Sequence, residues 1–219
     1  MNIAGVHAVT SGLKPLTTKL SSQPDTRLDL VNRNFKAACP NRLRVADITY
    51  GRTLSGFVYT AFVTDVFSRK IVGWSTRATM RTETLPLEAL EQAINCAKDN
   101  LAGLIHHADH GSQYISIRYS QWLTDAGIRS SPGTIGDSYD NALVETINSL
   151  YKTELIYNQT WHSCTEVKWV TLNWVHWRNN IRIRENLEYL TPQEKLTTAI
   201  KPKSDNWPPY KKRNKIQYA

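Results

Sequence analysis

The chain has 219 residues, 41% of them hydrophobic and 21% charged, which is ordinary for a globular protein and enough for one good-sized core. Lys and Arg outnumber Asp and Glu 27 to 19, a net charge of +8, so polyanions such as DNA are natural partners, although a generically basic protein would show the same balance. Three scattered cysteines, Cys39, Cys96 and Cys164, exclude a disulfide framework and a zinc pattern and fit a reducing cytoplasm, and the longest apolar region, residues 56–63, is too short and polar to span a membrane.

Residues 1–27 are rich in Thr, Ser, Lys and Pro without periodicity and read as a flexible basic lead-in. Residues 28–198 read as one core with helices at its C-terminal end. Strands are expected at 43–50, 57–67 and 70–76, in a meander with turns at Ser55-Gly56 and Ser68-Arg69. Apolar residues from Leu85 to Ala97 recur at helical spacing within 82–100, and a helix between strands makes a crossover to a parallel neighbour at 104–107. A helix at 115–126, with Tyr119, Trp122 and Leu123 facing inward, ends at Gly127 before a short fifth strand at 128–131. Residues 132–138 read as a mobile Gly-containing linker. The helix after it, 138–152, has Ser138 or Asp140 as its cap. Its Leu143, Ile147 and Leu150 form an apolar stripe, with Glu145, Asn148 and Lys152 on the other side. A long helix at 164–182 carries Trp169, Trp174 and Trp177, expected in the core. The remainder, 199–219, is a basic tail suited to salt-sensitive DNA affinity.

Taken alone, Glu145 on that helix fits a plain amphipathic surface helix. Two acids upstream give it another meaning. Asp47 sits inside the strand-like LRVADITY, and Asp109 follows the apolar run that ends at His107. Three carboxylates brought together would repel one another, and they make chemical sense as ligands for one or two Mg2+ (or Mn2+) ions, which prefer oxygen and complete their shells with phosphate. Two such ions suit phosphoryl transfer. His106, His107 and His110 lack the spacing of a zinc site, and Asp65 reads as structural or as a support for the residues of the site. Gly111, Ser112 and Gln113 form either a plain turn or a loop that approaches DNA closely.

The segments NRNFKAACPNRLRVADITY, FVTDVFSRKIVGW, LIHHADHGSQY and GDSYDNALVETINSLYKTE resemble the integrase-type catalytic core of OrfB transposases of bacterial insertion sequences, in the retroviral-integrase superfamily. The resemblance covers roughly residues 28–195. It implies an α/β, ribonuclease H-like fold, a five-stranded mixed sheet flanked by helices with a C-terminal helical extension. It also implies metal-dependent DNA cleavage and strand transfer by two aspartates and a glutamate, here Asp47, Asp109 and Glu145. The family's basic residue seven positions after the glutamate carries over to Lys152. The sequence WRNNIRIRENLEYLTPQE resembles the C-terminal signature, carried by Asn179, Asn180, Arg182, Leu187, Thr191 and Pro192; its charges either track phosphates or form a solvated face. The DNA contacts expected are Lys152, His110, Gln113, Asn148 and Arg182. Where this chain has His110 the family usually has Arg or Lys, so a phosphate contact there requires a protonated ring. Partners implied are element ends and target DNA, further copies of the chain on DNA, and a helix-turn-helix partner protein, since the lead-in is too short to hold that region.

At Arg44 the family generally has Trp. An odd offset from Asp47 places Arg44 on the other face of a central strand, where an unpaired guanidinium costs several kcal/mol. The expectation is that the side chain escapes to the sheet edge or that the core is loosened. A truncated, inactive DNA-binding remnant is the alternative to an active enzyme.

Overall fold

The computed structural model describes residues 28–81, 84–97, 101–108, 114, 116–133 and 142–200. The lead-in, the linker from residue 134 on with both cap candidates, the tail from residue 201 on, and Asp109, His110 and Gln113 lie outside the described residues. The strands are β1 (Leu43–Thr53), β2 (Gly56–Asp65), β3 (Ile71–Arg77), β4 (Ile105–Ala108) and β5 (Arg129–Pro132). The helices are α1 (Pro86–Ala97), α2 (Ile117–Asp125), α3 (Ala142–Glu154), α4 (Cys164–Asn180) and α5 (Pro192–Ile200).

The five strands form one sheet in the order β3-β2-β1-β4-β5. The first three pair antiparallel as the expected meander, and β4 and β5 add in parallel after helical crossovers. Side chains alternate across the pleat, so each face of β1 has its own helices. Ala46 and Ile48 join Ala61, Val63, Leu90, Tyr119 and Leu123 on the face covered by α1 and α2. On the other face Phe62, Val58 and Ile71 meet Ile147, Tyr151 and Trp174 of α3 and α4, and Val45 meets Val144.

Helix α1 approaches the sheet closely because β3 offers it a glycine. A Cβ on Gly73 would lie 2.0 Å from the Ala89 carbonyl oxygen and 2.9 Å from the Ala93 nitrogen, both backbone atoms. Gly73→Ala is therefore expected to push α1 off the sheet and to cost about 3 kcal/mol, the upper part of the usual overpacking range. Chemical denaturation measures this; a midpoint equal to the wild type would show that α1 yields freely.

Two aromatic expectations need correction. Of the three α4 tryptophans only Trp174 is buried, while Trp169 is 65% and Trp177 38% exposed. Helix α4 packs by Val167, Thr171, Trp174 and Val175, and the other two indoles fall off that stripe. Trp122 likewise points outward, because Tyr119 and Leu123 alone fill the inward side of α2.

Arg44 behaves as neither expected alternative. It is 1% exposed and hydrogen-bonded, donating from Nη1 to the Ala93 carbonyl (2.6 Å) and from Nη2 to Asn41 Oδ1 (2.7 Å). Its cross-strand partner is Asp65, whose carboxylate also accepts from Asn41 N, Ser68 N and Ser68 Oγ. Burial lowers the Arg44 pKa and Asp65 raises it in part. The core closes over the charge because α1 and the turn before β1 supply acceptors and Asp65 on β2 an opposite charge, which no local reading of the strand reveals, although Nε stays unpaired.

Candidate active site

Strand β4 pairs only with the first part of β1, from Leu43↔Ile105 to Ala46↔Ala108. From Asp47 onward the β4 side of β1 carries no paired strand among the described residues. Asp47 is thus the first residue beyond the parallel pairing, at the C-terminal end of β4, where open α/β sheets place ligands. Its carboxylate is half-buried, and its Oδ1 lies 2.7 Å from the Ile48 N–H that donates to it.

Helix α3 lies against this opening. Asn148 Nδ2 donates to Asp47 Oδ2 at 2.7 Å. Glu145 is exposed one helical turn earlier, at the i−3 position that shares a face with Asn148. One turn later Lys152 places its ammonium 4.8 Å from the centre of the Tyr50 ring. Strand and helix therefore align two pairs across their junction, Asp47 with Asn148 and Tyr50 with Lys152. Asn148, expected to meet DNA, is engaged with an acid of the site; the i, i+3 spacing after Glu145 was the signal for it.

The roll of α3 is fixed by a residue that the sequence reading missed. The buried stripe is Val144, Ile147 and Tyr151, with Leu143 and Leu150 only half-buried, a rotation from the expected Leu143, Ile147 and Leu150. Tyr151 can turn inward because its hydroxyl finds Thr171 Oγ1 at 2.7 Å and Thr60 Oγ1 at 3.2 Å, and Thr60 in turn meets Thr76 at 3.0 Å. Burial pushes the phenol up to about 12. With Tyr151 inward, Glu145, Asn148 and Lys152 face the uncovered side of β1.

The histidines on β4 are structural. His106 is 1% exposed, with Nε2 2.7 Å from the Tyr119 hydroxyl, whereas His107 turns to the other face, with Nδ1 3.2 Å from Ser131 Oγ. Ser131 also bonds Asp29 and the Leu30 N–H, tying the segment before β1 to β5. Burial pushes His106 from 6.5 down to about 3, helped by the Arg44 charge. Above pH 6.5 the ring is neutral in folded and unfolded chains alike. As the pH falls towards 3 the unfolded chain takes up the proton first, so stability is lost through that window. Between pH 7 and pH 4.5 the loss from His106 is about 2 to 3 kcal/mol. Urea unfolding of wild type and His106→Gln at both pH values tests this; equal losses would remove His106 as the cause.

Arg182 lies away from this opening, ion-paired with Glu154 and 5.1 Å from the Trp177 ring. Asn179 donates to the Ile71 carbonyl and accepts from the Ile71 N–H, capping β3. Among the described residues no three His, Cys, Asp or Glu side chains group closely enough to hold a metal ion.

Two models of the integrase core domain match the chain, at residues 37–138 and 126–192. The transposase for insertion sequence element IS629 of Shigella sonnei is 46% identical over 194 residues, covering 89% of this chain and 64% of that protein. A Mycobacterium tuberculosis protein named "Putative transposase for insertion sequence element IS986/IS6110" is 45% identical over 199 residues, covering 89% of this chain and 71% of that protein. The chain thus spans about two thirds of the length of these relatives. Among solved structures, the HTLV-2 integrase catalytic core domain in complex with magnesium superposes with a TM-score of 0.52 over 74% of this chain and 99% of that one, at 14% identity. That likeness establishes the ribonuclease H-like fold, and the sequence relatives establish the rest: this chain belongs to the insertion-sequence transposases built on an integrase core domain.

Proposed function

We propose that this chain is the catalytic core of a DNA transposase, a polynucleotidyl transferase that hydrolyses a phosphodiester at an element end and joins the freed 3'-hydroxyl to target DNA. The observation that carries the reading is the 2.7 Å bond from Asn148 to Asp47, which ties the face of α3 bearing Glu145 to the acid at the opening beside β1. Asp109 follows Ala108 in the sequence, and Ala108 pairs with Ala46, the residue before Asp47. The proposal assigns Asp109 to the same site.

Asp47, Asp109 and Glu145 offer only carboxylate oxygens, which fits a hard divalent cation, Mg2+ or Mn2+, in one or two copies. Such an ion, when bound, supplies Lewis acidity towards a phosphodiester. Asn148 and the Ile48 N–H each take one oxygen of Asp47 and fix its rotamer. Lys152, steadied by Tyr50, together with His110 and Gln113, is assigned to phosphates near the cleaved bond. Arg182 would meet DNA only while keeping or exchanging its Glu154 partner. The HTLV-2 core is described in a dimeric form, and by analogy this chain would act as a homo-oligomer on paired DNA ends, with a helix-turn-helix partner protein recognising them. None of the described helices is long and apolar enough to cross a membrane, and the proposed location is the bacterial cytoplasm, at the nucleoid.

Nicking of supercoiled plasmid by the purified chain tests the reading. Nicked circles are expected with Mg2+ or Mn2+ and not with EDTA. No nicking in either metal, on DNA that the chain still binds, would replace the enzyme with a noncatalytic DNA-binding remnant.

A further inference from the structure

Four arginines meet where α4 ends. Arg69 comes from the β2–β3 turn, Arg178 from the last turn of α4, and Arg182 and Arg184 from the connection to α5. Arg178 is completely buried, yet among the described residues its guanidinium has one acceptor, the Arg69 carbonyl, reached from Nη1 at 2.9 Å. Its Nε and Nη2 are buried without a partner, and the same two atoms of half-buried Arg184 are also buried without one. Nε and Nη2 together form one edge of a guanidinium, the two-pronged edge that matches two oxygens of a phosphate or carboxylate.

The local charge points the same way. Among the described residues the only carboxylate acting on Arg178 is Glu154, and that group is already taken by Arg182 and by the Trp174 indole N–H at 2.9 Å. Burial first, then the Arg184 and Arg182 charges, push Arg178 down to about 9. Buried donors are paired in native proteins, and a buried charge without a counterion is costly. An oxyanion would satisfy both unpaired edges and offset the clustered positive charge.

We propose that Arg178 and Arg184 build an oxyanion site for a phosphate group, apart from Asp47 and Glu145. Arg178 is its floor and half-buried Arg184 its rim. On the transposase reading above, the phosphate belongs to the DNA backbone, and the site grips the duplex at a distance from the cleaved bond. A free inorganic phosphate would use the same chemistry.

Two binding measurements test the site, and neither depends on catalysis, so failure of nicking and failure of this site are separate results. In the first, thermal melting is followed in sodium phosphate and in sodium chloride at equal ionic strength. Phosphate is expected to raise the wild-type midpoint by several degrees in a saturable way, and to do little for Arg178→Met or Arg184→Gln. A wild-type midpoint that rises no more in phosphate than in chloride overturns the site, as does an Arg184→Gln response equal to the wild type. If Arg178→Met does not fold, Arg184→Gln decides alone. In the second, affinity for a short duplex is measured against salt. A log–log slope smaller by about one in Arg184→Gln assigns the phosphate to DNA, whereas an unchanged slope, with the phosphate response present in the wild type and lost in Arg184→Gln, assigns it to a free anion.

Discussion

Glu145→Gln is expected to lower metal-dependent plasmid nicking about a thousandfold, equivalent to about 4 kcal/mol of barrier. The substitution keeps the size and shape of the side chain and removes its charge. In the proposed site Glu145 comes from helix α3, and its loss leaves the two aspartates to hold the cation. The fold should not respond, because Glu145 is exposed and outside the α3 stripe formed by Val144, Ile147 and Tyr151. Its melting midpoint should match the wild type, since exposed substitutions away from special contacts stay within about 0.5 kcal/mol. Loss of nicking in a folded variant that still binds duplex assigns Glu145 to the chemistry. Nicking at the wild-type rate would remove it from the site.

Arg44→Trp, which installs the residue usual in the resembled family, is expected to destabilise the chain by about 3–5 kcal/mol. Removing the guanidinium leaves the buried Asp65 carboxylate without its cross-strand cation and Asn41 Oδ1 without its donor. The indole must also fit between the Ala93 backbone and His106, the residue paired with Arg44 on β4. Urea unfolding of the two proteins gives the difference directly. A variant as stable as the wild type would mean that the Arg44 hydrogen bonds contribute nothing. A more stable one would restore the idea that Arg44 marks a decayed core.

Much of the architecture was legible because it is periodic. Alternation gave the first three strands and their turns, and the helical recurrence from Leu85 to Ala97 gave the crossover and hence a parallel β4. The three acids were legible for another reason. Carboxylates inside or next to apolar strands are costly unless they have a task, and separate motifs in the order of a known family supplied one. Of these, Asp47 and the face of Glu145 are brought to one junction, while Asp109, His110 and Gln113 lie outside the described residues.

By itself the sequence determined the order of elements and the acids worth testing, since these follow from local pattern and residue chemistry, while the central place of β1 came with the family resemblance. Only the tertiary structure decided where side chains find partners far along the chain. Tyr151 is turned inward by hydroxyls on β2 and α4, which sets the roll of the helix that carries Glu145. Arg44 is sheltered by acceptors from α1 and from the turn before β1. Arg182 is held by Glu154, 28 residues away, and Arg178 is buried with two of its three guanidinium nitrogens unpaired. Hydrophobic spacing reports which face is buried on average, but a buried polar group depends on single atoms in other elements, and that pairing appears only once the chain has folded.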